Sequence, residues 1–143
     1  MESNARTLTA GVVGGLAGGV AFGILMTAMG MMEMVAGLVD SGSVAVGWVV
    51  HMGISAAFGA GFALVAGWQA SSAGRAAGIG VIYGVVVWVV GALLAMPLVM
   101  GMTPLVIGEP QLMSLMGHVL YGIITGLVYQ WLASSRQQVG ARG

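Results

Sequence analysis

The sequence predicts an all-helical membrane protein, a single bundle of four transmembrane helices. Three observations carry this. Only 6% of the 143 residues are charged and 59% are hydrophobic, with a mean hydropathy of +1.03, whereas a soluble domain is about a quarter charged. The charges (Glu2, Arg6, Glu33, Asp40, Arg75, Glu109, Arg136 and Arg142) cut the chain into neutral runs at 7–32, 41–74, 76–108 and 110–135. Each run can hold the roughly 20 apolar residues that a spanning helix requires.

The first span is expected at about 9–32. Its apolar part exceeds the roughly 7–15 residues of a signal-peptide core, and further spans follow, so it reads as a helix that stays in the membrane. Within it, "GVVGGLAGGVAFG" places Gly11, Gly15, Gly19 and Gly23 on one face. Lipid tails are as apolar as the helices, so helices associate by close approach, which small residues permit. The stripe is therefore a packing seam, either inside the bundle or between two copies of the chain.

The second span, about 46–68, contains "GWVVHMGISAAFGAGFALVAG" with His51 near its start. The third, about 76–101, carries Pro97, which removes a backbone donor and should kink the helix. The fourth, about 112–133, contains the other histidine, His118. Trp48, Trp68 and Trp131 fall near helix ends and read as interface anchors. Trp88, Tyr83 and Phe58 lie deeper and read as packing residues.

With four spans, both termini and the 69–75 loop share one side. All four arginines fall there, and Glu33, Asp40 and Glu109 fall on the other side. Arginine excess marks the cytoplasmic face, so the chain is expected in the cytoplasmic membrane with both termini inside.

A shift of 67 residues matches the chain to itself without a gap. Ala10 and Gly11 fall on Ala77 and Gly78, Met29 on Met96, His51 on His118, and Gly59 on Gly126. The expected organisation is one membrane domain, 1–143, made of two parallel helical hairpins at about 9–68 and 76–133.

Ionisable groups within a span are costly and by default point to function. At 1.5 Å per residue, His51 and His118 should lie roughly 7–10 Å below the outer boundary. Met29 and Met96 should approach the same layer from below, with Glu33 and Met100 one turn beyond them. "MTAMGMMEM" and "MPLVMGM" concentrate eight of the 12 methionines near this level.

Three readings are open. In one, the histidines hydrogen-bond across helices and the methionines are adaptable filler, leaving a structural or accessory subunit. In the second, His51 and His118 ligate a haem b from diagonal helices, with Gly59 and Gly126 letting the porphyrin approach; bundles build cofactor sites from facing helices. In the third, His51, His118, Met29, Met96, Met100 and Glu33 form a soft-metal site that binds or transports copper, since thioethers select Cu(I) and imidazole suits copper.

The segments "WVVHMGISAAFGAGFAL" and "MGHVLYGIITGLVYQWL" resemble the repeated histidine-bearing helices of a family of small prokaryotic four-helix membrane proteins. The resemblance rests on a histidine followed by small residues and an aromatic–glycine step, Phe58–Gly59 and Tyr121–Gly122. It implies a four-helix membrane fold and brings no activity with it.

Other classes are disfavoured. There is no lysine and the net charge is zero, so no basic footprint suggests nucleic acid. Without cysteine there is no disulfide or thiol chemistry. No carboxylate pair or Ser–His–Asp set lies within the spans, so the chain does not read as a conventional enzyme. The expected partners are the bilayer and either a second copy or a larger membrane complex.

Overall fold

The computed structural model describes residues 2–140, with side chains placed for 4–135. The side chains of Glu2 and Arg136, and all of Arg142, which enter the orientation argument, lie outside the described residues. The elements are α1 (Glu2–Ala28), α2 (Met32–Ala36), α3 (Val44–Val65), α4 (Ala73–Val87), a π-wound segment (Trp88–Ala95), α5 (Met96–Val99) and α6 (Glu109–Gly140). No strand occurs among the described residues. Four stretches are long and apolar enough to cross a membrane: Asn4–Ala28, Val44–Val65, Ala73–Val99 and Glu109–Ser135. Their outer faces suit lipid, with Ile24, Val49, Leu64, Ile82 and Met116 all exposed. These features are those of an integral membrane protein.

Helix α1 is the hub. Gly11 and Gly15 meet Gly59, Gly19 meets Ser55, and Gly23 meets the Trp48 ring, all on α3. A Cβ on Gly15 would lie 2.6 Å from the Gly59 Cα, closer than real Cβ contacts allow. The glycine stripe is thus taken up inside one chain. A second face of α1, not foreseen from the period-four pattern, packs on α6. There a Cβ on Gly14 would lie 2.7 Å from the Thr125 carbonyl oxygen, and one on Gly18 would lie 2.6 Å from that of Tyr121. The second hairpin uses the same device: Gly80 meets Gly122, Gly84 meets the His118 backbone, and Gly126 meets Ala76.

The glycine crossings of the two hairpins do not follow a strict 67-residue shift. Gly59 and Gly126 occupy comparable crossings, but their partners are Gly11 and Gly15 in one hairpin and Ala76 in the other. The first and third spans end alike. Each closes on a glycine in the left-handed region, Gly30 and Gly101, both at φ +68. Met31 N–H donates to the Met26 carbonyl (2.9 Å) and Gly30 N–H to that of Thr27 (3.1 Å). Met102 N–H donates to the Pro97 carbonyl (2.8 Å) and Gly101 N–H to that of Leu98 (3.3 Å). These are Schellman closures, which glycine permits without a Cβ clash.

The break expected at Pro97 takes the form of a change in winding. Trp88–Ala95 is π-wound immediately before it. Pro97 has no N–H to offer the Leu93 carbonyl, four residues back, and Leu105 N–H donates to that oxygen instead at 2.8 Å. This bond draws the 100–108 loop back onto the helix and holds Leu105 at φ 60, a conformation that costs a β-carbon residue roughly 1–2 kcal/mol. Leu105→Gly should keep the N–H while relieving the backbone, raising stability by up to about 1 kcal/mol. The midpoint of SDS unfolding, followed by helical circular dichroism, checks this.

Candidate functional site: a histidine-lined intramembrane cavity

Helices α3 and α4 are tied at the end of the bundle nearer the termini. Tyr83 donates its hydroxyl to the Phe58 carbonyl (2.6 Å), and its ring meets Phe62 edge-on. Tyr121 on α6 reaches across to the Ser55 carbonyl of α3 (2.7 Å). Beyond these tyrosines, toward α2, the helices separate around a cavity of about 330 Å³. Phe58 and Tyr121 line one end, Met31, Met34 and Leu38 the α2 side, and Gly91, Ala92 and Ala95 the π-wound wall. Ile54, Ala95 and Val99 line it yet are exposed. The mouth is therefore lateral, between α3 and the π-wound segment with α5.

Both histidines line this one cavity. Their helices begin earlier than expected, at Val44 and Glu109, so at 1.5 Å per residue they lie roughly 10–14 Å in. His51 Nε2 donates to the Gly19 carbonyl of α1 at 2.8 Å. His118 Nδ1 donates to the Ser114 carbonyl one turn back, also at 2.8 Å, with the Ser114 hydroxyl 3.3 Å away. These bonds fix each neutral tautomer, because the ring nitrogen beside a carbonyl must carry the hydrogen. They leave His51 Nδ1 and His118 Nε2 as acceptors. Neither is sealed: among the described residues, the one fully buried side-chain nitrogen or oxygen without a partner is Thr125 Oγ1.

Phe22 stands between the imidazoles. Its ring meets His51 edge-on at 5.6 Å between centroids and His118 at 4.7 Å. It also covers Gly117, where there is no room for a Cβ. Phe22 is the only aromatic residue before Trp48 in the chain, and that isolation in a glycine-rich helix was the signal available in the sequence.

The other expected site residues are divided. Met96 lines the cavity. Met29 does not, because α1 ends at Ala28 and the Gly30 turn carries Met29 off the helical face; Met26 and Met31 line the cavity instead. Glu33 is exposed in the first turn of α2, and Met100 is exposed with its methyl group near Gly37. Gly59 and Gly126 are shut in helix crossings and give no approach to a flat ligand. Trp68 and Trp131 are exposed, as interface anchors would be. Trp48 instead packs on Gly23 and meets His51 edge-on. Trp88 is buried and donates its ring N–H to the Gln111 carbonyl (2.9 Å), fastening the π-wound wall to α6. No group of three or more His, Cys, Asp or Glu able to hold a metal occurs among the described residues.

No family model matches the chain, nor does any curated protein or solved structure. The functional reading therefore rests on the cavity.

Proposed function

We propose that the protein binds a small, lipid-soluble molecule in this cavity, with His51 and His118 as its polar contacts. The observation that carries the reading is one laterally open, apolar-walled space onto which two histidines from different helices face. Ligand sites are concave and mostly apolar, with a few placed polar groups, and typically measure about 300–1,000 Å³. A lateral mouth admits a molecule dissolved in the bilayer. With both termini on the cytoplasmic side, as the arginines favour, the cavity lies in the outer half of the membrane. The matched glycine crossings of the two hairpins favour their descent from one duplicated unit.

A bis-histidine haem b does not fit the residues in this arrangement. Phe22 touches both imidazoles, His51 Nε2 is committed to Gly19, and Gly59 and Gly126 are closed. The copper reading keeps one supporting observation. Met26, Met31, Met34 and Met96 line the same cavity as the histidines, and each imidazole gives its N–H to a carbonyl, as metal-ligating histidines do.

One preparation separates the readings. Protein purified in mild detergent is extracted with organic solvent for mass spectrometry and assayed for copper. A near-stoichiometric apolar compound is expected in the extract, and it should be absent from Gly91→Leu. Gly91 lines the cavity, and a Cβ there would meet nothing within 4 Å, so the leucine fills space without forcing the helices apart. Copper at about one ion per chain, with no organic compound, would replace the proposal with the metal reading.

A further inference from the structure

We infer that the cavity selects a ligand whose head donates hydrogen bonds: a phenol or hydroquinone-type ring rather than a quinone, ether or hydrocarbon. The inference rests on the ligand-binding reading above and goes further by fixing the polarity of the recognition. A free imidazole both donates and accepts, so a histidine in a pocket ordinarily leaves ligand polarity open. Here it is closed. His51 spends its N–H on the Gly19 carbonyl and His118 spends its own on the Ser114 carbonyl. Each offers the ligand only a lone pair.

Of the other polar groups lining the cavity, the Gln111 side-chain amide and the Ser55 and Ser114 hydroxyls keep a donor, so the selection is made at the two imidazoles. Tyr121 donates its hydroxyl to the Ser55 carbonyl. The Gln111 side-chain oxygen accepts from Gly108 N–H (3.1 Å), and the Gln111 carbonyl accepts from Trp88. A carbonyl-bearing ligand would thus have to break an existing bond to find a donor at either histidine, whereas a hydroxyl would find two acceptors already held in place. The ring part of the assignment follows from the walls. Phe22, Phe58 and Tyr121 border the same space, and aromatic faces and edges favour an aromatic guest.

The test uses full-length protein in lipid nanodiscs with 4-bromophenol and 4-bromoanisole. The two probes differ by one methyl group, which removes the donor, and bromine quenches tryptophan emission. Trp68→Phe and Trp131→Phe remove the two lipid-exposed reporters, leaving Trp48 and Trp88 beside the site. At equal mole fraction in the bilayer, saturable quenching by 4-bromophenol should be about tenfold tighter than by 4-bromoanisole, the ratio one such hydrogen bond supplies. His118→Phe should shrink that ratio to about two or less without abolishing binding of the anisole. Gly91→Leu, with helicity unchanged, should abolish saturable quenching by both probes. Equal affinity for the two probes, lost together in Gly91→Leu, would overturn the donor assignment and leave the ligand site standing. Quenching that saturates for neither probe in the parent protein would overturn the ligand site itself.

Discussion

Gly15→Ala should destabilise the bundle by about 3 kcal/mol, although a single methyl group is all that is added. The new carbon would fall 2.6 Å from the Gly59 Cα and 2.9 Å from its nitrogen. Both are backbone atoms, so no side chain can rotate away, and α1 and α3 must move apart along their whole crossing. Overpacking of this kind costs roughly 1–3 kcal/mol even where neighbours can adjust. In lipid the separated faces also regain no hydrophobic penalty to drive them back together. Gly53→Ala on α3 and Gly78→Ala on α4 are the controls, since a Cβ at either meets nothing within 4 Å. There alanine should be neutral or gain up to about 1 kcal/mol of helix propensity. SDS titration in mixed micelles, followed by circular dichroism, measures all three. A Gly15→Ala midpoint equal to the parent's would show that the helices do not cross at this separation.

Phe22→Ala should cost a similar amount, roughly 3 kcal/mol, by the opposite route. Phe22 is 4% exposed, touches both histidine rings and covers Gly117. Removing it leaves a void that α1 and α6 cannot close, because Gly14 and Gly18 already hold them at backbone contact. Large-to-small substitutions of buried aromatics cost about 3–5 kcal/mol where collapse is blocked. Phe22→Leu retains much of the volume and should cost less than half as much. The same titration checks the pair. A Phe22→Ala protein as stable as Phe22→Leu would mean that the ring is not wedged between the imidazoles.

Much of the architecture could be read from composition. The neutral runs place the four spans, and the recurring glycines of "GVVGGLAGGVAFG" place a seam. What composition could not give is the partner of each small residue. In a helix, a glycine reads the same whether it admits another backbone or leaves room for a ligand. Gly59 and Gly126 were open to both interpretations and proved to be crossings. Likewise, the period-four stripe drew attention to one face of α1, while Gly14 and Gly18, which serve the other, fall outside that period. That His51 and His118, which both line one cavity, are the chain's two histidines and each sit inside a neutral run was legible. The wedge between them was not, because Phe22 belongs to neither histidine helix. Of the methionines, Met96 lines the cavity and Met29 does not, because α1 ends at Ala28 and the chain turns at Gly30.

The double glycine face of α1 also bears on how the chain is assembled. Of the four spans, α1 is made first, and it is the one that the later spans must find. Its pairing with α3 can form once residue 65 has entered the bilayer, because Gly11, Gly15 and Gly19 need only partners up to Ala63. Its other flank stays unclaimed until Tyr121 and Thr125 arrive with the fourth span. A nascent chain stopped after the third span therefore carries the Gly14 and Gly18 face of α1 without its partner.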